Sequence, residues 1–197
     1  FISFFLLKDG QIINQIITSL SPEKYLYKVK TIVMETKDLL SRYFIGVLVQ
    51  VTVVVLVITI GLSIAGVKNA LLIGVIAGVF NIIPYIGPLM GAGIGLLLAA
   101  TSQLETAPDM ALSGFLFSAL IPFVVAQLLD NFVLQPVIFS KSVKAHPLEI
   151  FMVILAAGSL AGIVGMIVAV PTYSFIRIIA KEFFYGYKIV QGLTKDL

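Results

Sequence analysis

The 36 residues from Asn69 to Leu104 carry no charge, and this stretch constrains the fold more than any other. It is apolar enough for a lipid environment, yet its centre reads FNIIPYIGPLMG, with prolines at Pro84 and Pro88. A proline lacks the backbone N–H and pushes the preceding residue away from helical angles, so both oppose a continuous helix. The apolar halves on either side of PYIGP are 15 and 16 residues long, whereas a crossing needs about 20. The sequence therefore predicts two helices joined by a turn at Asn81–Pro88.

The predicted position of this hairpin, 69–104, in the membrane depends on how the backbone groups of its turn are hydrogen-bonded. Non-helical backbone is tolerated within a membrane only where it is buried in protein or lines a wet cavity. A re-entrant hairpin with its tip at a polar cavity meets that requirement. The alternative is two short crossings joined by an ordinary loop at the membrane surface.

The composition places the remaining chain in the membrane as well. Hydrophobic residues make up 59% and charged residues 12%, against about 45 to 50% and about 25% in soluble domains. Three further charge-free windows, Tyr43–Val67, Met110–Leu129 and Ile150–Ile176, contain 25, 20 and 27 residues. The last is interrupted by glycines and forms a second broken segment, 150–176. We predict an all-α, polytopic helical membrane protein with Gly/Pro-broken re-entrant helical hairpins.

Three regions are expected along the chain. Residues 1–42 combine the end of a preceding span, FISFFLLKDG, with an amphipathic helical connector. Residues 43–180 form the transmembrane transport region, and 181–197 form a cytoplasmic tail. The connector's apolar stripe packs against the protein in one interpretation, and lies on the membrane surface or against another subunit in the other.

A second informative stretch, Gln127–Phe151, brings polar groups to the end of a span. Asp130 is its most membrane-embedded acid, and polar or ionisable groups at that depth are often functional. The alternative is an interfacial carboxylate that reaches water or Lys141. His146 is more simply an exposed loop residue than a metal or proton site.

The sequence lacks the motifs that several classes of function require. There is no Cys, no GxSxG, no HExxH, no phosphate-binding P-loop and a single His, so neither an enzyme nor a metal or cofactor site is predicted. The net charge of +3 comes from basic residues that flank apolar runs, whereas nucleic-acid binding needs a basic cluster on one face. Lipid is the expected environment, and no nucleic-acid partner is expected.

Four segments together resemble the autoinducer-2 exporter family of bacterial permeases. They are GVLVQ at 46–50, GLSIAGVKNALLIGVIAGVFNIIPYIGPLMG at 61–91, QLLDNFVLQPVIFSKSVKAHPL at 127–148 and GSLAGIVGMIVAVP at 158–171. The family pattern more often has Glu where this chain has Asp130. The resemblance implies about eight membrane helices in the intact protein, helical hairpins that carry the substrate in an elevator-like movement, and a homo-oligomer, a pentamer. It also implies a multi-pass protein of the bacterial inner membrane.

The expected function is export of a small polar metabolite such as autoinducer-2. The alternative is a cation (sodium)/proton antiporter of the same permease family, with Asp130 as the proton carrier. Two Gly- and Pro-interrupted apolar segments also indicate a transporter binding site. The candidate substrate-binding residues are Asn81, Pro84, Tyr85, Gly87, Pro88, Gln127, Asp130, Asn131, Gln135, Pro136, Gly158 and Gly162.

The distribution of basic residues predicts the orientation. Residues 8–42 contain six Lys or Arg, residues 177–197 contain four and residues 105–109 contain none, so both basic stretches should be cytoplasmic. A Cys introduced at Lys195 should therefore escape a membrane-impermeant thiol reagent added outside intact cells. Efficient external labelling would reverse this orientation.

Overall fold

All regular elements in the part of the chain that the structure describes are helices. The computed structural model describes residues 23–106, 112–136 and 146–184, so the Lys195 prediction, the preceding span and Lys141 lie outside them. The elements are a 3-10 turn, Glu23–Tyr25; α1, Leu26–Ile64; α2, Ala70–Phe80; α3, Ile86–Thr106; α4, Leu112–Leu129, continued by a π-helical turn, Asp130–Leu134; and α5, Pro147–Phe184.

The helices are built for a lipid environment. Within the described residues, four stretches have the length and apolar composition for a membrane crossing, namely Leu26–Ile64, Ile86–Leu104, Leu112–Leu134 and Leu148–Phe183, and the last of them contains the fold-back described below. Many large apolar side chains on them are exposed, as lipid-facing surfaces require. The predicted fold class, an all-α polytopic membrane protein, is confirmed.

The described residues form two compact units, and their boundaries fall within α1 and α5. The small unit contains 23–41 and 171–184, and the large unit contains 42–170. In the small unit the Lys28 ammonium donates to the backbone carbonyl of Glu182 at 2.6 Å, and Lys181 lies 3.6 Å from Glu35. The first part of α1 thus contacts the last part of α5, and an exposed ion pair of this kind contributes at most about 1 kcal/mol.

In the large unit, α1 ends because of a glycine. Gly66 has φ of 77°, a conformation that glycine adopts without strain. The backbone N–H of Gly66 donates to Ser63 O at 3.1 Å, and that of Val67 donates to Leu62 O at 2.9 Å. This pair of bonds is a Schellman motif, which normally includes an apolar contact between the same two outer residues. Leu62 and Val67 are both buried in one core cluster, so the motif also fixes where α2 begins.

Helices α2 and α3 form a hairpin, here called the first hairpin. The chain turns between Phe80 and Ile86, which falls within the predicted interval Asn81–Pro88. The two helices approach closely at a glycine, because a β-carbon at Gly91 would lie only 3.0 Å from Ala77 Cα. Asn69–Leu104 is therefore not one continuous helix, and the re-entrant depth of the hairpin stays a prediction.

Tyr85 sits in a strained turn at the tip of this hairpin. Its φ is 66°, and the Ile86 N–H bonds to the Pro84 carbonyl across it at 2.8 Å. These two features define a γ-turn of the rare positive-φ kind. A left-handed backbone costs a residue with a β-carbon roughly 1 to 2 kcal/mol, so a glycine would satisfy this turn more easily than tyrosine.

A second fold-back lies inside α5 and is here called the second hairpin. Ala161 and Gly162 depart from helical angles, and Gly162 has φ 59° and ψ −145°, a region that is essentially open to glycine alone. A β-carbon at Gly158 would lie 3.0 Å from Met166 Cγ, and one at Gly165 would overlap the Ala157 carbonyl. Residues eight apart in a straight helix are separated by about 12 Å of rise. The two parts of α5 therefore pack against each other within the large unit.

The first hairpin is enclosed by other helices of the large unit. Helices α1 to α4 share one buried core that includes Val54, Ile73, Ala99 and Phe123. A second core joins Tyr43 and Val47 of α1, Ile83 of the hairpin turn, and Ile154 and Val170 of the second hairpin. Asn81 and Ile83 of the non-helical turn are thus buried in protein, whereas Tyr85 stays partly exposed.

Two glycines of α3 provide a matched test of the first hairpin. A β-carbon at Gly87 would overlap the backbone carbonyl of Phe80, whereas one at Gly93 would meet nothing within 4 Å. Because backbone cannot yield as a side chain can, Gly87→Ala should lower stability by about 1 to 3 kcal/mol. Thermal unfolding of the purified full-length protein measures this.

The control, Gly93→Ala, should leave the unfolding temperature unchanged or raise it, because alanine favours helix over glycine. Equal unfolding temperatures for Gly87→Ala and Gly93→Ala would contradict the close turn.

Candidate polar binding site

The site begins at the π-helical turn that follows α4. The N–H of Gln135 donates to the Asp130 carbonyl, five residues earlier. One extra residue in the turn shifts the side chains around the helix axis, and such turns occur frequently at functional sites. Asp130 is turned inward, with an exposed fraction of 1%.

Two side-chain amides donate hydrogen bonds to the Asp130 carboxylate, one from a residue that precedes it in the chain and one from a residue that follows it. Gln50 Nε2 of α1 donates to Oδ1 at 2.7 Å, and Gln135 Nε2 donates to Oδ2 at 2.8 Å. Gln50 is itself buried, with an exposed fraction of 4%. Hydrogen bonds to a charged group are worth about 1.5 to 3 kcal/mol each, so this pair of bonds ties α1 to the end of α4.

Asn81, from the turn of the first hairpin, lies beside the same carboxylate. Its exposed fraction is 5%, yet its Nδ2 forms no hydrogen bond of good geometry within the described residues. The hairpin turn therefore brings a third amide beside the carboxylate, in a poorer hydrogen-bond geometry than those of Gln50 and Gln135.

Within the described residues the hydrogen-bond donors to Asp130 are the neutral amides of Gln50 and Gln135, and no basic side chain is paired with it. Removing an ion from water costs several kcal/mol, and amide donors replace only part of its hydration. The carboxylate is therefore suited to take up a proton, a cation or a hydrogen-bond donor of a solute. This is the main electrostatic property of the site.

The side-chain amides of residues near Asp130 are hydrogen-bonded to one another along the surface of the helix. Gln127 Nε2 donates to Asn131 Oδ1 at 2.8 Å, and Gln135 Nε2 also approaches Asn131 Oδ1 at 3.2 Å. We call Asn81, Gln127, Asn131 and Gln135 the amide cluster. The cluster extends the polar contacts of the buried carboxylate outward.

The amide cluster lines a cavity of about 600 Å³ between α1, the first hairpin and α4. Ligand cavities commonly measure about 300 to 1,000 Å³. Tyr85 and Pro88 also line it, and its remaining lining is apolar, including Val54, Ile58 and Phe123. The lining contains neither a nucleophile next to a base nor a group of metal ligands, and amides with a phenol suit the binding of a neutral polar solute.

The predicted site residues fall into three places. The residues that line the cavity are Asn81, Tyr85, Pro88, Gln127, Asn131 and Gln135, with Asp130 bonded behind them. Pro84 and Gly87 shape the hairpin turn, and Pro136 is exposed. Gly158 and Gly162 belong to the second hairpin and are not among the lining residues.

Sequence inspection missed Gln50, which makes the 2.7 Å bond to Asp130. It is the one amide side chain in the charge-free window 43–67. A polar amide within a predicted span normally requires a partner, so this isolation was an available signal. Its partner, 80 residues away, could not be identified without the fold.

His146 is exposed, and its Nδ1 accepts from the Leu148 N–H at 3.3 Å. Such a bond caps a helix start. Within the described residues no group of His, Cys, Asp and Glu is arranged to hold a metal ion. His146 thus has a local structural contact at the beginning of α5.

Broken helical hairpins, exposed apolar surfaces and a cavity with an amide-lined wall beside a buried carboxylate define a multi-pass membrane protein. The chain belongs to the AI-2E family transporters, whose sequence profile matches residues 1–184. The predicted family is confirmed.

The chain is similar to several curated proteins from bacteria. It is 35% identical over 177 residues to "Putative transport protein YueF" of Bacillus subtilis, covering 90% of this chain and 46% of that protein. It is 30% identical over 183 residues to "Putative transport protein YrrI" of the same organism, covering 93% and 49%. "Putative permease PerM" of Escherichia coli is 28% identical over 175 residues, covering 88% and 47%. The chain thus spans about half the length of these relatives, and no solved structure matches it.

The bond between Gln50 and Asp130 can be tested by a double-mutant cycle. Gln50→Leu should lower the free energy of unfolding by about 1 to 3 kcal/mol, because it leaves a buried carboxylate short of a donor. Repeating the change in an Asp130→Asn background should give a coupling energy of about 0.5 to 3 kcal/mol. Denaturant unfolding of the full-length protein provides both values.

Gln127→Leu is the matched control, since the Gln127 bond to Asn131 is exposed and lies within one helix. It should change stability little. Additive effects of Gln50→Leu and Asp130→Asn would contradict the contact.

Proposed function

We propose that this chain is part of a membrane exporter of a small, polar, uncharged metabolite such as autoinducer-2. The observation that carries the proposal is the cavity of about 600 Å³ lined by the amide cluster. Side-chain amides both donate and accept hydrogen bonds, which suits a hydroxyl-rich solute. The naming of the relatives as transport proteins and a permease supports a role in membrane transport, without reference to a solute.

The two hairpins supply a physical basis for an elevator-like movement. Their tips lie at Asn81–Tyr85 and at Ala161–Gly162, and broken apolar helices commonly form the binding sites of transporters. Close glycine contacts hold each hairpin together, so each can move as a body. We propose that the first hairpin carries the solute while α1 and α4 supply the facing wall.

The fold-back inside α5 also supports the proposed orientation. If α1 and α4 each cross once and both hairpins return to their own side, the connector and the tail share one side of the membrane. Both are basic, which favours the cytoplasmic side of an inner bacterial membrane. A homo-oligomer, a pentamer on the family resemblance, completes the proposed assembly.

A second candidate is a cation (sodium)/proton antiporter, and one observation favours it. Asp130 is buried and has no ion-pair partner within the described residues. A proton or a cation bound in turn at this carboxylate would neutralise its buried negative charge. The two candidates differ in whether Asp130 must change its protonation during each cycle.

Asp130→Asn separates the two candidates. For metabolite export the asparagine retains an oxygen acceptor but loses its charge, so the export rate should fall about tenfold, equivalent to about 1.4 kcal/mol, with its pH dependence retained. Efflux of autoinducer-2 from vesicles that contain the full-length protein, measured against pH, tests this.

The matched control is Asp38→Asn, which neutralises an exposed acid in the small unit and should leave efflux unchanged. Sodium/proton exchange by the wild type that disappears in Asp130→Asn, without autoinducer-2 efflux, would replace the exporter by the antiporter.

A further inference from the structure

Tyr85 occupies a backbone conformation that does not suit its residue type. A positive φ is uncommon for any residue except glycine, and for a bulky one it is a genuine outlier. Here φ is 66°, within the γ-turn that the 2.8 Å bond from Ile86 N–H to Pro84 O closes. Such strain persists where surrounding contacts enforce it, and it concentrates at functional sites.

The ring of Tyr85 has two neighbours of interest. It lines the same cavity as Asn81, Gln127 and Asn131, and it remains 40% exposed. On its other side it meets the Phe151 ring of the second hairpin edge-on, with centroids 5.8 Å apart. The ring thus stands between the amide cluster and a contact that joins the two hairpins.

The fold itself gives no reason for tyrosine at this position. A glycine would adopt the turn without strain, and the buried core near the tip is provided by Ile83 instead. The benefit of the tyrosine must therefore come from its ring. The ring meets Phe151 edge-on, stays partly exposed and belongs to neither buried core, so its rotation would leave both cores packed.

We propose that Tyr85 is a gate residue, whose ring controls access to the cavity that the amide cluster lines and is held closed by Phe151. Departure of the ring from Phe151 would open the path and loosen the contact between the hairpins. Solute entry would thereby be coupled to hairpin movement. This inference rests on the proposed function in so far as the cavity is the solute path.

The accessibility of an introduced cysteine tests the gate, and the measurement needs no transported solute. Since this chain contains no Cys, an introduced one is its single reactive thiol. Ala126 lines the cavity, whereas Ala119 lies on the same helix, is equally buried and does not line it. Each is changed to Cys in a full-length protein without other cysteines. The rate of modification by methanethiosulfonate ethylammonium is then measured in membranes.

Tyr85→Gly and Tyr85→Asn should both speed modification of Ala126→Cys about tenfold, because the rate follows the fraction of open molecules. Tyr85→Phe keeps the ring and should leave the rate unchanged, and Phe151→Ala should raise it. Modification of Ala119→Cys should stay slow throughout. Tyr85→Gly should change the unfolding temperature little, since the relief of turn strain offsets the lost contact with Phe151.

Two results would overturn the gate. One is an unchanged rate at Ala126→Cys in both Tyr85→Gly and Tyr85→Asn. The other is a parallel rise at Ala119→Cys with a lower unfolding temperature, which would make Tyr85 a structural residue. A failure of metabolite export affects neither measurement, so the proposed function and the gate can fail separately.

Discussion

The site depends on the burial of the Asp130 carboxylate among amide donors. A charge removed from water needs replacement contacts, and these come from Gln50 on α1 and Gln135 on the π-helical turn. Together with Asn81 at the hairpin tip, they bring three separated parts of the sequence to one point. The position of the cavity follows from that meeting, because the amides that surround Asp130 continue as its polar wall.

The hairpins answer a second requirement, which is the burial of non-helical backbone. In lipid a turn without protein around it would leave carbonyl and N–H groups unsatisfied. Here the first turn is hydrogen-bonded within itself and covered by the core that contains Tyr43, Ile83 and Ile154. The same core includes Val170, so the second hairpin helps to bury the tip of the first.

Flexibility and rigidity are distributed unequally over these parts. Glycine contacts such as that between Gly91 and Ala77 leave little room inside the first hairpin, which favours its movement as one body. Tyr85 is the opposite case, because its backbone is strained while its ring is partly free. A closely packed hairpin that carries a partly exposed ring at its tip fits the gate that we propose.

The sequence by itself determined the helical class, the membrane environment and the position of the first turn, because charge-free runs and prolines act locally. It also indicated Asp130 and its amide neighbours on α4. Only the tertiary structure decided that Gln50 meets Asp130, that α5 folds back at Gly162, and that Tyr85 faces Phe151. Each of these depends on residues distant in sequence or on a backbone angle within one turn. Hydrophobic periodicity predicts neither such contacts nor such angles, because it shows which faces of a helix are apolar but not which faces pack together.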